Sequence, residues 1–365
     1  MASISPLLPF TLALIIGIVW EAIGTLPWLP IILYNIIAIA LFTRNYQATL
    51  IISIATSFFM VGALRYEQQK NKFDQFMDQA CGKLCLLKGT IADIEQSYRR
   101  PNTTITTITI EELKQRDGII RPALDLQLKV ATRQNIKNLM IGDHLELPKI
   151  YLRPCKNASY MRYLMKEKLA GHITTQQHIN VLDRPKFSLQ HWLTKQRNNI
   201  TQQLATKLSP HTFTLLASIF WGKKELDTNQ IESIKEKFKI WGILHYLARS
   251  GLHVLLFIIL WNWLFGFIPL PFWLKQVLLT LVVLFYHIIS WPSISFIRSL
   301  ILFLFYKICA LVNLQINTLH LLALTTIIVL LMNPFQLFFL DFQLSFGLTF
   351  ALCWLTHLQR KKLTS

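Results

Sequence analysis

Apolar and polar positions fall along the chain in two different rhythms. The sequence opens on three apolar runs, Pro6 to Gly24, Trp28 to Phe42 and Ala48 to Leu64. A helix needs about 20 apolar residues to cross a bilayer, so the first and third runs suffice and the second is short. Met1 to Trp20 holds no Lys or Arg, so the first run is read as a retained span, not a cleaved signal. From Arg65 to about Pro185 the rhythm changes. Ala123 to Val130 alternates at period two, and Thr104 to Ile110 is a Thr/Ile run. Five strands are predicted: Leu84 to Ile94, Thr103 to Leu113, Ala123 to Thr132, His144 to Leu152, and His172 to Leu182. A helical stretch, Ser159 to Ala170, precedes the last of them. Such a set is compatible with a small OB-like barrel, as it is with other small β-barrels.

Beyond the strands, Ser188 to Leu208 reads as an amphipathic helix with Lys195, Arg197 and Lys207 on its polar side. Thr212 to Gly222 is apolar but too short to span, which suits an interfacial segment. Asn229 to Lys239 is a charged helix, and five further apolar runs follow: Ile240 to Phe267, Leu270 to Ser290, Ile294 to Val312, Asn317 to Met332, and Phe335 to Leu358. The predicted fold class is a polytopic α-helical membrane protein of about eight spans with an inserted small β-barrel (OB-like) soluble domain. Its parts are transmembrane helices over 1–64, the β domain over 65–187, interfacial helices over 188–240, a second transmembrane domain over 241–358, and a basic tail over 359–365.

Composition agrees with this division. Of 365 residues, 53% are hydrophobic and 15% charged, which excludes an ordinary soluble enzyme. The 37 Lys and Arg against 19 Asp and Glu give a net charge of +18 and point to a polyanion or an anionic lipid surface. Between Arg65 and Lys186 there are 21 basic and 13 acidic residues, a balance of +8. Tyr98, Tyr151, Tyr160 and Tyr163 are the aromatic residues there that suit base stacking. Composition alone leaves nucleic-acid binding and a merely solvated basic surface equally open. Charge leaves the orientation undecided too, because Arg44 and the Arg360-Lys361-Lys362 tail favour one side and Lys223, Lys224, Lys235, Lys237 and Lys239 oppose it.

The candidate chemistry lies in polar residues inside the apolar half. His245, Arg249 and His253 are spaced four apart, so a continuous helix aligns them on one face. An Arg at a membrane centre costs about 2.5–3.5 kcal/mol on insertion scales, so such residues face a bundle interior or water. Ser250-Gly251 allows a break or a close helix contact. Arg298 and Asp341, deep in two other spans, are natural partners for each other. Each has a plainer alternative: a hydrogen-bonded packing histidine, a structural ion pair, a small-residue contact. The histidines lack a third ligand of fitting spacing, and Ser250 lacks a nucleophile-elbow pattern, so neither a metal nor another cofactor is expected.

Gly242 to Val254, with His245, Ala248, Ser250, Gly251, Leu252 and His253, resembles the signature of the ComEC competence-protein family of bacterial DNA-uptake channels. Asn333-Pro334 followed by Phe342-Gln343-Leu344-Ser345-Phe346 is similar to its second signature. Pro292-Ser293 with Arg298 is like a third element, at longer spacing and with Ser299 in place of Ala. Arg249 stands where the family has an apolar residue, and the His-x-His-x-Asp-His motif of the nuclease domain of many relatives does not occur. The resemblance implies a channel component that passes single-stranded DNA through the bacterial cytoplasmic membrane, without nuclease activity of its own. It implies a polar lining of His245, Arg249, Ser250, Gly251, His253, Arg298, Asp341, Gln343 and Ser345. The implied partners are single-stranded DNA and the lipid bilayer, with a separate nuclease, a cytoplasmic motor and a second copy of the chain as further candidates. It also places the β domain outside, where disulfides persist, and implies a bridge from Cys155 to Cys85 or, second, to Cys81. Three reduced thiols are the alternative. An intramembrane hydrolase using Ser250 and His253, and a degenerate scaffold of the same fold, remain the competing functions.

Overall fold

The apolar runs form helices and the alternating stretches form strands in the computed structural model. It describes residues 7–24, 46–96, 103–115, 118–132, 139–154, 157–175, 180–183, 192, 196, 199–200, 203–216, 236, 238–241, 251–290, 294–314 and 317–364. In chain order the elements are α1 (Leu8–Ile23), α2 (Tyr46–Ala80), β1 (Leu84–Gln96), β2 (Thr104–Gln115), β3 (Gly118–Ile120), β4 (Gln127–Thr132), β5 (His144–Tyr151) and α3 (Ala158–Glu167). Then follow β6 (Leu169–Thr175), β7 (Asn180–Asp183), α4 (Pro210–Leu216), α5 (Gly251–Gly266), α6 (Phe272–Ile289), α7 (Ile294–Leu311), α8 (Thr318–Met332), a 3-10 turn (Pro334–Phe338) and α9 (Leu340–Thr364). The chain divides into two compact units, 1–71 with 297–365, and 72–296.

In the first unit, α1 and α2 cross at two glycines. A Cβ on Gly17 would lie 2.1 Å from the Phe59 carbonyl oxygen, and one on Gly62 would lie 2.5 Å from that of Leu14. Only the missing side chains let the two backbones approach this closely, the device by which apolar helices gain van der Waals contact without a hydrophobic driving force. Phe10 on Phe58 and Trp20 on Phe59 flank the crossing. Helix α1 packs on α8, whose Leu319, Leu322, Thr325, Ile327 and Leu330 are buried. The buried Thr325 and Thr326 hydroxyls donate back to the Leu321 and Leu322 carbonyls, which satisfies them inside an apolar surround.

In the second unit a seven-stranded mixed sheet runs in the order β6-β4-β2-β1-β5-β7, with β3 paired to β2. All neighbours are antiparallel except β4 and β6, whose parallel pairing is reached by a crossover through β5 and α3. The two ends of this path, β6 and β7, are joined by residues 176–179 alone. Six strands laid flat would separate them by about 24 Å at 4.8 Å per neighbour, whereas five chain steps reach at most about 18 Å. The sheet therefore curls upon itself. Its concave side holds Leu87, Ile91, Ile108, Leu113, Leu128, Leu145 and Leu147, together with Phe73, Phe76 and Met77 from the end of α2. Gly89 sits at a register shift between β1 and β2, where a Cβ would meet the Thr109 carbonyl oxygen at 2.2 Å. Bulge and glycine together let the long β1 bend around the core. Helix α3 starts at Asn157, whose side chain accepts from the Ser159 and Tyr160 amides.

Four of the five predicted strands lie within three residues of observed ones at their starts, or within four for β4. The fifth divides, because β6 begins at Leu169, directly after α3, and β7 continues it beyond 176–179. The short β3 was not expected. Helix α2 runs unbroken across Leu64-Arg65, where a domain boundary is expected from composition. Among the described residues two helices, 50–80 and α7, are long and apolar enough to cross a membrane. Five more (α1, α5, Phe272–Ile288 of α6, α8 and Leu340–Thr356 of α9) are apolar but shorter than 18 residues. The expected count of about eight spans is thus met by two on the full criterion, and the run Trp28 to Phe42 lies outside the described residues.

Candidate functional site

Helix α9 carries its polar residues in one slanted row. Asp341, Ser345 and Thr349 recur every four residues, so they share a face. Leu340, Leu344, Leu348 and Leu352, one position earlier in each turn, are exposed. Phe342 and Phe346, one position later, are buried and stacked with centroids 4.4 Å apart. The Thr349 hydroxyl donates to the Ser345 carbonyl at 2.7 Å. Its oxygen in turn accepts from Arg298 Nη1 of α7, a short contact. The Arg298 guanidinium also lies over the Phe346 ring, 5.5 Å from the centroid. Arg298 Nε is buried without a hydrogen bond. The expected partner, Asp341, lies eight residues from Thr349 on α9, about 12 Å by the helical rise. Among the described residues Arg298 therefore meets a neutral hydroxyl and an aromatic face, and Asp341 is not its partner.

The turn before α9 explains the second signature. Asn333 ends α8, and its side-chain oxygen accepts from the Phe335 amide at 3.2 Å. Pro334 opens the 3-10 turn, where a missing N–H goes unnoticed. Phe335 is buried against Tyr66 at 4.9 Å between centroids. Arg65 Nε donates to the Leu331 carbonyl at 2.9 Å and Gln69 Nε2 to that of Met332 at 3.2 Å. Two α2 side chains thus satisfy the carbonyls that the end of α8 leaves open. Gln343 Nε2 closes the turn on the Leu337 carbonyl at 2.9 Å. These motif residues build a joint between helices. Arg65, Gln69 and Thr349 escaped the sequence reading; for Thr349 the four-residue spacing from Asp341 is the signal that would have found it.

Of the first signature, Gly251 is the first described residue of α5 and His253, two positions on, is half-buried. His245, Arg249 and Ser250 lie outside the described residues. Of the implied bridge, Cys85 is a free thiol, buried in the sheet's core, with Gln115 Nε2 at 3.1 Å from its sulfur. Cys155 lies outside the described residues. Cys85 fills space in that core like any small apolar group.

Apolar helices in sequence on both sides of a mixed sheet define the class, a helical protein with a curled β domain. Residues 227–365 match the family model described as Competence protein. Both signatures and the Arg298–Thr349 contact fall within it. No curated protein and no solved structure matches the chain.

Proposed function

We propose that the chain is a component of the bacterial cytoplasmic membrane that passes single-stranded DNA inward during natural transformation. The observation that carries this reading is the Arg298–Thr349–Ser345 row inside the family-matched segment, a cationic and hydroxyl-bearing face on helices that are otherwise apolar. A strand crossing lipid needs donors for its phosphates behind a shield of apolar helix surface. The exposed leucines of α9 and the exposed aliphatic residues of α5 (Leu252, Leu255, Leu256, Ile259 and Leu260) supply such a surface. On this reading the five shorter apolar helices and the run Trp28 to Phe42 also cross the bilayer, which thins locally around them or is met by snorkelling flanking residues.

The β domain lies on the outer side and is OB-like. Its strand order supports the OB-like reading: without β3 and with β7 taken as the continuation of β6, the path is fifth-third-second-first-fourth, with the third and fifth strands parallel. The polar lining comprises His245, Arg249, Ser250, Gly251, His253, Arg298, Asp341, Gln343 and Ser345.

The test is transformation frequency in a strain lacking the gene, complemented by variants. Deletion should abolish uptake. Ser250→Ala and His253→Ala should keep normal amounts of protein in the membrane while uptake falls by at least ten-fold. Wild-type uptake in the deletion strain would end this reading. A serine-directed activity probe should leave Ser250 unlabelled, whereas labelling would favour the hydrolase.

A further inference from the structure

Among the described residues β7 pairs with β5 from His144 to Glu146, and β6 pairs with β4. Beyond that seam, Lys149–Tyr151 of β5 and His172–Thr175 of β6 line one hollow. That hollow is about 520 Å³ and is also lined by Arg153. A second hollow, about 440 Å³, adjoins it through Arg153 and His172 and reaches Asn157 and Tyr160 at the start of α3. Together they form a groove over the seam. Each is of the size that holds a small ligand unit.

The chemistry of the groove is one-sided. Lys149 and Arg153 are exposed and make no ion pair with a described residue. Lys129 stands beside His172 in the β4–β6 pairing and adds a third positive charge. Among the described residues no carboxylate lines either hollow. Two tyrosines mark its length: Tyr151, 46% exposed on β5, and Tyr160, 38% exposed on α3. Tyr160 is held in place by Tyr163, stacked at 6.1 Å, and by His172, whose Nδ1 lies 2.8 Å from the phenol oxygen. Cations alone would suit any anion. Cations alternating with accessible aromatic faces suit a chain that alternates phosphates with planar bases.

We propose that the groove between β5 and β6 binds a short segment of single-stranded nucleic acid, with Lys149 and Arg153 on its phosphates and Tyr151 and Tyr160 stacked on its bases. That the strand is DNA rests on the proposed uptake function; the groove's preference for a single strand rests on its own residues. Cations on phosphates and tyrosines on base faces read the backbone and the ring planes, so binding is indifferent to sequence and needs unpaired bases.

The experiment uses the full-length protein in detergent and a fluorescent twelve-residue oligo-dT, read by anisotropy at about 100 mM salt. The Lys149→Glu, Arg153→Glu double variant should bind at least ten-fold more weakly. Tyr151→Ala should lose about five-fold or more, the usual range for one stacked base. Lys72→Glu, an exposed charge change on α2, should bind within two-fold of wild type. An abasic oligomer of the same length and polyglutamate should both compete poorly. If the groove variants bind like wild type, or if the abasic oligomer or polyglutamate competes as well as oligo-dT, the proposal is overturned. Uptake that depends on the gene while the groove variants bind normally would remove the groove alone and leave the proposed function standing.

Discussion

A buried charge seeks whatever its neighbours offer, and Arg298 shows how little of that choice is visible from residue types. Asp341 is the obvious counter-ion by charge, yet the guanidinium reaches Thr349 and the Phe346 ring. Reach decides: a helix rises about 1.5 Å per residue, and eight residues put Asp341 beyond an arginine side chain already engaged elsewhere. A double-mutant cycle on thermal midpoint in detergent should therefore find Arg298→Leu and Thr349→Val non-additive, with a coupling of about 1–3 kcal/mol from the donor left buried and unpaired. Arg298→Leu with Asp341→Leu should come close to additive; the opposite ranking would return the pairing to Asp341. His172 offers a second test at this scale. Partial loss of hydration beside the groove lowers its pKa below the ordinary imidazole value although the residue is exposed, and Lys129 lowers it further. The ring is accordingly neutral at pH 7 and takes up a proton only at lower pH. An anion seated beside Lys149, Arg153 and Lys129 favours the protonated ring, so affinity for oligo-dT should rise as pH falls from 7.5 towards 5. Phosphodiester and thymine keep their charge over that interval. His172→Gln should flatten the rise while keeping Tyr160 a polar neighbour. A slope unchanged in the variant would take His172 out of the groove's chemistry.

At the scale of elements, the legible parts are those that depend on one segment's own pattern. Alternation in Ala123 to Val130 marks β4, and a long apolar run marks α8. What needs a partner is not legible. Gly118–Ile120 pairs as β3 only because it folds back on Leu113–Gln115, and β6 begins at Leu169 because β4 lies parallel beside it. The end of α3 follows the same logic: Lys168 adopts a left-handed backbone at the helix C-terminus, and no composition cue in Lys166-Glu167-Lys168 announces it. The site divides likewise. The Asn333-Pro334 turn is readable as a helix stop, whereas the Arg65 and Gln69 caps on α8 join residues more than 260 positions apart. Close helix approach is another partner effect, and it can be tested. Gly17→Val places a branched side chain where a Cβ already meets the Phe59 oxygen at 2.1 Å, so α1 must move away from α2. The detergent-solubilised protein should lose about 1–3 kcal/mol, as other overpacked sites do, and show a lower thermal midpoint. Gly347→Ala on α9, with nothing within 4 Å of the added carbon, should be neutral or slightly stabilising. Equal tolerance at both glycines would mean that the crossing contributes nothing.

For the whole molecule, the decisive physical question is which solvent each part meets. Exposed leucine, phenylalanine and tryptophan side chains cover α5, α6 and α9, a surface far too apolar to face water unaided. The β domain is the reverse: it buries its aliphatic residues in a core of its own and turns lysines and arginines outward. A net positive domain gives no directional cue, because long loops cross membranes largely regardless of their charge. Placement on the outer side therefore makes a prediction that charge alone does not. An epitope inserted within residues 133–138, in the connection between β4 and β5, leaves the sheet's pairing and its core untouched. In spheroplasts of cells producing the full chain, an antibody should bind this epitope without permeabilisation. An epitope appended after Ser365 should stain only once the membrane is opened, since the Arg360-Lys361-Lys362 tail favours the cytoplasm. If the loop epitope also requires permeabilisation, the β domain is cytoplasmic, and its groove would meet a strand only after passage. Opposite accessibility of the two epitopes requires an odd number of crossings between them. The described helices α5 to α9 contribute five crossings if every one spans, an odd number, so staining of the loop alone is the outcome that agrees with all of them being membrane helices.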